Sequence, residues 1–239
     1  MSRFFITETD TLAEQIVLRG ENYHHLTHVL RAAVGEKVCV CDGAGTEYEC
    51  TLSAVDGQNA YLTIDQKHDA LGESKLDITV FQCLAKGEKM EQIITRCVEM
   101  GVHRIVPVYS RFCIAKPTGA SKTMRYKKIA LSAAKQSGRA IVPEIGDTID
   151  FREAVHRLCA FQNGFVCYEK ETEHSLLEME ACGTQIGFLI GSEGGFSSEE
   201  AAYWQAAGLR SVSLGPRILR TENAAAFVLP ILYSKYGTF

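Results

Sequence analysis

The feature that most restricts the fold is a regular alternation of short apolar strands and amphipathic helices from Leu76 to Tyr236. Asp77–Leu84, Arg104–Tyr109, Gly164–Tyr168, Gln185–Gly191 and Ser211–Leu214 read as strands, each a short apolar run. Lys86–Met100 reads as a helix with Met90, Ile93, Ile94 and Cys97 on one face and Gly101 as its stop. Met124–Ser137, stopped by Gly138, and Ser198–Ala207 read as two more. Glu222–Tyr236 reads as a last helix, with Pro230 expected to kink it. Such alternation predicts a mostly parallel sheet covered on both faces.

Residues 1–72 follow a different pattern. Glu36–Cys41 and Thr46–Ala54 flank Asp42-Gly43-Ala44-Gly45, a strong turn signal between two strands, and Gln58–Asp65 continues the β pattern. Asn22–Ala33 reads as a helix capped by Asn22 and ended by Gly35, with Leu26, Val29, Leu30 and Ala33 on one face. A small β-barrel with one short helix fits. The periodicity lapses at Ala70–Ser74, so two domains are expected, 1–72 and 73–239.

Nine cysteines, with no CxxC pair, argue against a disulfide framework in a core-rich chain. Cys39 and Cys41 share one strand face and read as buried apolar side chains rather than a metal site. His24 and His28 stand at a spacing zinc can use, but no HExxH and no cysteine cluster accompanies them. No metal is expected. No apolar run is long enough to span a bilayer, and Met1–Ile6 lacks the apolar core of a signal peptide, so a soluble cytoplasmic protein is expected.

The formal net charge is −4, which disguises a segregation. Residues 1–72 hold five Lys/Arg and eleven Asp/Glu; residues 85–140 hold twelve Lys/Arg and three Asp/Glu. A local basic region, felt over a Debye length of ~8–10 Å, points to an anionic partner.

Two loops carry the chemistry. Gly191-Ser192-Glu193-Gly194-Gly195 follows an apolar strand and precedes a helix capped by Ser197 or Ser198. Ligands of open α/β sheets bind at the carboxyl ends of strands, where glycines let backbone approach closely. The phosphate-binding patterns GxxxxGK[ST] and GxGxxG are absent, and Glu193 disfavours a phosphate. The loop suits a neutral or cationic ligand such as the sulfonium of S-adenosylmethionine; a plain packing turn explains it equally. Leu214–Glu222 repeats the strand–loop–helix arrangement with Gly215, Pro216 and two arginines, Arg217 and Arg220, and with Thr221 as the expected helix cap. Two such loops at successive strand ends can build one pocket.

These residues resemble a known family. GSEGGFSSEE followed by SLGPRILRTENAA is similar to the paired C-terminal motifs of RsmE-type uridine-N3 methyltransferases of small-subunit ribosomal RNA, the 16S rRNA (uracil(1498)-N(3))-methyltransferases. Lys86–Glu91, Glu99–Val102, Ala134–Arg139 with Val142–Glu144, Arg3–Phe5, and His25-Leu26 with Val29–Arg31 resemble further segments of it, in order along almost the whole chain. Ser192, Asn223 and Pro230 depart from the usual pattern, where the first loop has Pro, Thr follows Thr-Glu, and the last helix is rich in Ala and Leu.

The resemblance implies an α/β fold: a SPOUT, trefoil-knotted methyltransferase domain preceded by a small PUA-like β-barrel, acting as a homodimer. It implies S-adenosylmethionine as cofactor, held by Leu189, Ile190, Gly191, Glu193, Gly195, Leu214, Gly215, Ile218 and Leu219. Arg217 and Arg220 are expected to hold the uracil carbonyls or a phosphate. Glu222 is expected to accept a proton or to serve as a structural charge at a helix N-terminus. RNA grip is expected from Arg3, Arg31, Lys86, Lys89 and Arg139, and 16S ribosomal RNA within the small subunit is the expected partner. A SPOUT enzyme that methylates ribose 2′-hydroxyls and a non-catalytic RNA-binding assembly factor are the alternatives.

Overall fold

Two sheets organise the chain, which in this computed structural model is described at residues 2–7, 11, 12, 15–117 and 119–237. They belong to two compact units, one from residues 1–73 with Ala134–Val142, the other from Ser74–Ala133 with residues 143–239.

The first unit's sheet comprises β1 (Arg3–Phe5), β2 (Thr11–Leu12), β3 (Gln15–Leu18), β4 (Lys37–Cys41), β5 (Thr46–Val55) and β6 (Ala60–Asp69). Its order is β1-β4-β5-β6-β3-β2, with β1 parallel to β4 and the other pairs antiparallel. Period-two alternation places Val38 and Val40 in a core with Phe4, Ile16, Leu52 and Leu62. Cys39 and Cys41 point to the opposite face, buried beside Ala140. The Asp42 carboxylate accepts from the Ala44 and Thr46 amides at 2.7 and 3.0 Å and so fixes the turn between β4 and β5.

The expected helix at Asn22–Ala33 is shorter and differently capped. α1 (Gly20–His24) runs into a π-helical turn at His25–Val29, and no side chain caps it. Asn22 instead donates to the Phe5 carbonyl at 2.8 Å. Arg31 takes a left-handed φ of 54°, so the helix stops before Ala33. The widened turn leaves Leu26 alone inside, with Val29 and Leu30 exposed.

Ala134–Val142 belongs to this unit through a buried ion pair. The Glu73 carboxylate accepts from the Arg139 guanidinium at 2.8 Å and from the Ala140 and Ile141 amides at 3.0 Å each. Burial raises the Glu73 pKa, but these donors and the Arg139 charge outweigh it and hold the carboxyl below its ordinary value.

The second unit's sheet comprises β7 (Asp77–Cys83), β8 (Arg104–Tyr109), β9 (Glu144–Ile145), β10 (Ile149–Asp150), β11 (Asn163–Cys167), β12 (Gln185–Ile190) and β13 (Arg210–Val212). The order is β10-β8-β7-β12-β11-β13, with β9 also on β8, and every pair is parallel. β7 and β12 are central and buried along nearly their whole length, as strands covered on both faces must be. Phe81, Val106, Val166, Leu189 and Trp204 share the core on one side.

The helices are α2 (Lys89–Glu99), α3 (Ala120–Ser137), α4 (Phe151–Leu158), α5 (Ser198–Ala206) and α6 (Thr221–Tyr236). α2 starts three residues later than expected because Gly87 takes φ 64° and turns the chain. α4 was not foreseen, although Asp150 caps it by accepting from the Glu153 amide at 3.0 Å. Ser197 and Glu200 form a capping box at α5. α6 continues past Pro230 to Tyr236, with Pro230 on its exposed side. Among the described residues no helix is long and apolar enough to cross a membrane.

Candidate active site

The site lies where β11, β12 and β13 end. After β12 the chain turns back on itself, with the Gly195 amide donating to the Ser192 carbonyl at 3.0 Å. Gly195 has φ 66°, and a Cβ there would stand 2.4 Å from Glu169 Oε1. Gly194 is equally confined, since its Cβ would stand 2.8 Å from Phe112 Cβ. Gly195 needs glycine for its backbone angle, and Gly194 for its close approach to Phe112. After β13, residues 213–220 form the second loop, turning at Gly215 with φ 104°.

Thr221 ties the two loops together. Its hydroxyl donates to the Gly191 carbonyl at 2.7 Å and accepts from Gln82 Nε2 at 2.9 Å. Gln82 sits at the end of β7, wholly buried, and also reaches the Gly191 carbonyl at 3.4 Å. Thr221 is thus not the cap of α6. Arg220 holds the cap position, and no side chain caps that helix. The hydroxyl is committed to the neighbouring strand, where a buried carbonyl needs a donor.

Between the loops lies a cavity of 540 Å³, within the range of small-molecule sites. Ile190, Gly191, Glu193, Gly195, Leu214, Gly215, Ile218 and Leu219 line it, as do Arg217, Arg220, Glu222 and Lys89. Leu189 does not. It is fully buried in the core, because successive strand residues face opposite ways. Sequence reasoning missed Gln82, Glu169 and Ser213. Gln82 was findable as a polar residue near the carboxyl end of an apolar strand; Glu169 and Ser213, just past β11 and β13, carried no local signal.

The lining is balanced in charge: Glu169, Glu193 and Glu222 against Lys89, Arg217 and Arg220. Glu193 Oε1 accepts from the Lys86 amide at 3.0 Å and lies 3.1 Å from Lys89 Nζ. Burial raises its pKa, but the Glu193 and Lys86 amides and Lys89 prevail and hold the carboxyl below the usual range. Lys89 Nζ is also 3.8 Å from Glu222 Oε2, and Arg220 Nη1 is 4.0 Å from Glu222 Oε1. Glu222 Oε2 and Ser192 Oγ are buried with no hydrogen-bond partner. Arg220 is 80% exposed and so extends toward solvent at the mouth. Asn223, a departure from the family pattern, accepts from Arg96 Nη1 at 2.5 Å; the same nitrogen donates to the Glu222 carbonyl at 2.6 Å and anchors α6 on α2.

The residues expected to grip RNA fall into two groups. Arg31 and Lys86 are exposed. Arg139, only 6% exposed, is spent on Glu73 and cannot reach a phosphate. Arg3 is paired with Glu47 at 2.6 Å, and Lys89 is held between Glu193 and Glu222. Among the described residues no group of three or more His, Cys, Asp or Glu is arranged to hold a metal.

The cavity fits S-adenosylmethionine on its own chemistry. That ligand carries two positive groups and one carboxylate, and the lining offers both signs, two unsatisfied buried oxygens and close backbone.

The chain is similar to known proteins along its length. A family profile described as an RNA methyltransferase domain matches residues 72–233, and one described as an RNA methyltransferase PUA domain matches 18–65. Ribosomal RNA small subunit methyltransferase E of Bacillus subtilis is 28% identical over 96% of this chain and 94% of its own. The crystal structure of ribosomal RNA small subunit methyltransferase E from Neisseria gonorrhoeae bound to S-adenosyl methionine superposes with a TM-score of 0.91 at 30% identity, covering 100% of this chain and 99% of that one. A Legionella pneumophila methyltransferase structure with bound cofactor reaches 0.88 at 27% identity over 99% and 98%. The fold is an α/β RNA methyltransferase domain preceded by a PUA-like β unit, as expected. The chain belongs to the RNA methyltransferase family that includes ribosomal RNA small subunit methyltransferase E.

Proposed function

We propose that this protein transfers a methyl group from S-adenosylmethionine to N3 of a uridine in small-subunit ribosomal RNA, U1498 in 16S numbering. The observation that carries this reading is the charge-balanced cavity between the two loops, in a chain that superposes over its full length on a relative holding that cofactor. Backbone of Ile190–Gly191 and Leu214–Leu219, with Glu193 and Gly195, holds the cofactor, which supplies an electrophilic methyl group.

The remaining work falls to this chain's own residues. Uracil N3–H is about as weak an acid as a Tyr phenol, ~10. Arg217 and Arg220 hold the uracil carbonyls and stabilise the ring anion. Glu222 Oε2, buried and without a hydrogen bond, receives the N3 proton. Positioning itself contributes several kcal/mol. Arg220→Ala is expected to bind S-adenosylmethionine normally by calorimetry yet transfer methyl at least ~100-fold more slowly. Glu222→Gln keeps shape and helix position, so a comparable loss assigns the carboxylate to proton transfer, whereas normal turnover leaves it a purely structural charge.

In this reading the unit formed by residues 1–73 with Ala134–Val142 binds RNA and the other is catalytic, where the sequence alone divides the chain at 72/73, and the protein works in the cytoplasm without a metal. A homodimer accounts for the apolar surface near the cavity, where Ile218 is 82% exposed and Leu177 and Phe227 are also uncovered. Sedimentation at twice the 26.4 kDa chain mass is expected; a monomer at micromolar concentration would exclude the dimer.

A further inference from the structure

Residues 100–143 hold nine Lys/Arg and no Asp or Glu. The structure divides those nine by residue type. All four arginines are ion-paired: Arg104 with Glu144, Arg111 with Glu199, Arg125 with Glu91 and Arg139 with Glu73. The five lysines, Lys116, Lys122, Lys127, Lys128 and Lys135, form no ion pair among the described residues. Four of them lie within residues 116–128, before and along the first turns of α3.

α3 is oriented so that these charges face water. Thr123, Tyr126, Ala130 and Ala133 are buried at helical spacing, while Met124, Arg125, Lys127 and Lys128 are exposed. Lys122 Nζ sits 5.9 Å from the Tyr126 ring centroid, which gives its stem a preferred position without removing its charge. A helix face that is merely solvated mixes both signs. Here no carboxylate occurs on α3, and the chain's overall excess of acid lies elsewhere.

We infer that Lys116, Lys122, Lys127 and Lys128 form a phosphate-binding surface for the ribosomal RNA substrate. The inference rests on the proposed RNA substrate but names a surface different from Arg3, Lys89 and Arg139, whose charges are already spent. Lysine suits the role. It is a flexible point charge that follows a phosphate backbone without reading sequence. These residues position RNA and touch no reacting atom.

The test is the triple variant Lys122→Gln/Lys127→Gln/Lys128→Gln, which keeps the aliphatic stems and removes three charges. Binding to small subunits lacking the modification is measured across a salt titration, independently of methyl transfer. The expected variant has the parent's melting curve, S-adenosylmethionine affinity and kcat. Its KM for subunits rises about tenfold near physiological salt, and its slope of log affinity against log salt is shallower by about 2–3. An unchanged KM and slope would overturn the inference, as would a parent that binds poly-glutamate as tightly as the subunits. A parent that binds subunits with the expected salt slope but methylates nothing would sink the proposed reaction and leave the surface standing.

Discussion

At the scale of single residues, the site depends on a contact that local sequence rules misassign. Thr221 stands just before a helical run, where a hydroxyl ordinarily caps. Its hydroxyl instead joins Gln82 to the Gly191 carbonyl. A local rule weighs only neighbours in sequence, whereas a buried carbonyl thirty residues away imposes a larger demand, since an unmet buried polar group costs about 1–3 kcal/mol. Thr221→Val removes the hydroxyl at nearly constant volume and leaves the Gly191 carbonyl only the longer 3.4 Å contact from Gln82 Nε2. It is expected to cost about 2 kcal/mol of stability in denaturant titration and to weaken S-adenosylmethionine binding at least ~10-fold by calorimetry. Unchanged values on both counts would show that the two loops hold their places without it. The charged and glycine residues of the loops were legible because their types declare a chemistry; Leu189 was not, because only strand register decides which side it faces.

At the scale of elements, the alternation of strands and helices from Leu76 was readable because parallel strands buried on both faces are near-continuous apolar runs. Short elements were not. β1, β2 and β10 are two or three residues long, and their identity comes from their partners. The helix at Gly20–Val29 shows a different limit, since a π turn shifts the face that periodicity predicts. Ala134–Val142 belongs to the first unit through Glu73 and Arg139, a pairing sixty-six residues apart that no local pattern carries. That pair sets a pH dependence. The Glu73 carboxyl is held below its ordinary value, so its stabilisation is present above the unfolded glutamate pKa of about 4.3 and is lost as pH falls through the lower folded value. Glu73→Gln removes the carboxylate charge beside the buried Arg139 guanidinium, with an expected cost of about 3–5 kcal/mol at pH 7. The variant's stability is also expected to vary less than the parent's below about pH 4.5. A variant as stable as the parent at pH 7, with the same acid profile, would remove the pair from any structural role.

At the scale of the whole molecule, the chain is acidic in sum and basic in one stretch. The charge count located that stretch from sequence. Which of its cations are free emerged only when the structure paired the four arginines of residues 100–143 and, among the described residues, none of the five lysines there. The most direct test of the central claim is the chemical position of the methyl group. Small subunits lacking the modification are incubated with this protein and labelled S-adenosylmethionine, and the RNA is then digested to nucleosides and separated by mass. The account predicts the label in N3-methyluridine at a single site; label in a 2′-O-methyl nucleoside, or none in RNA, would contradict it.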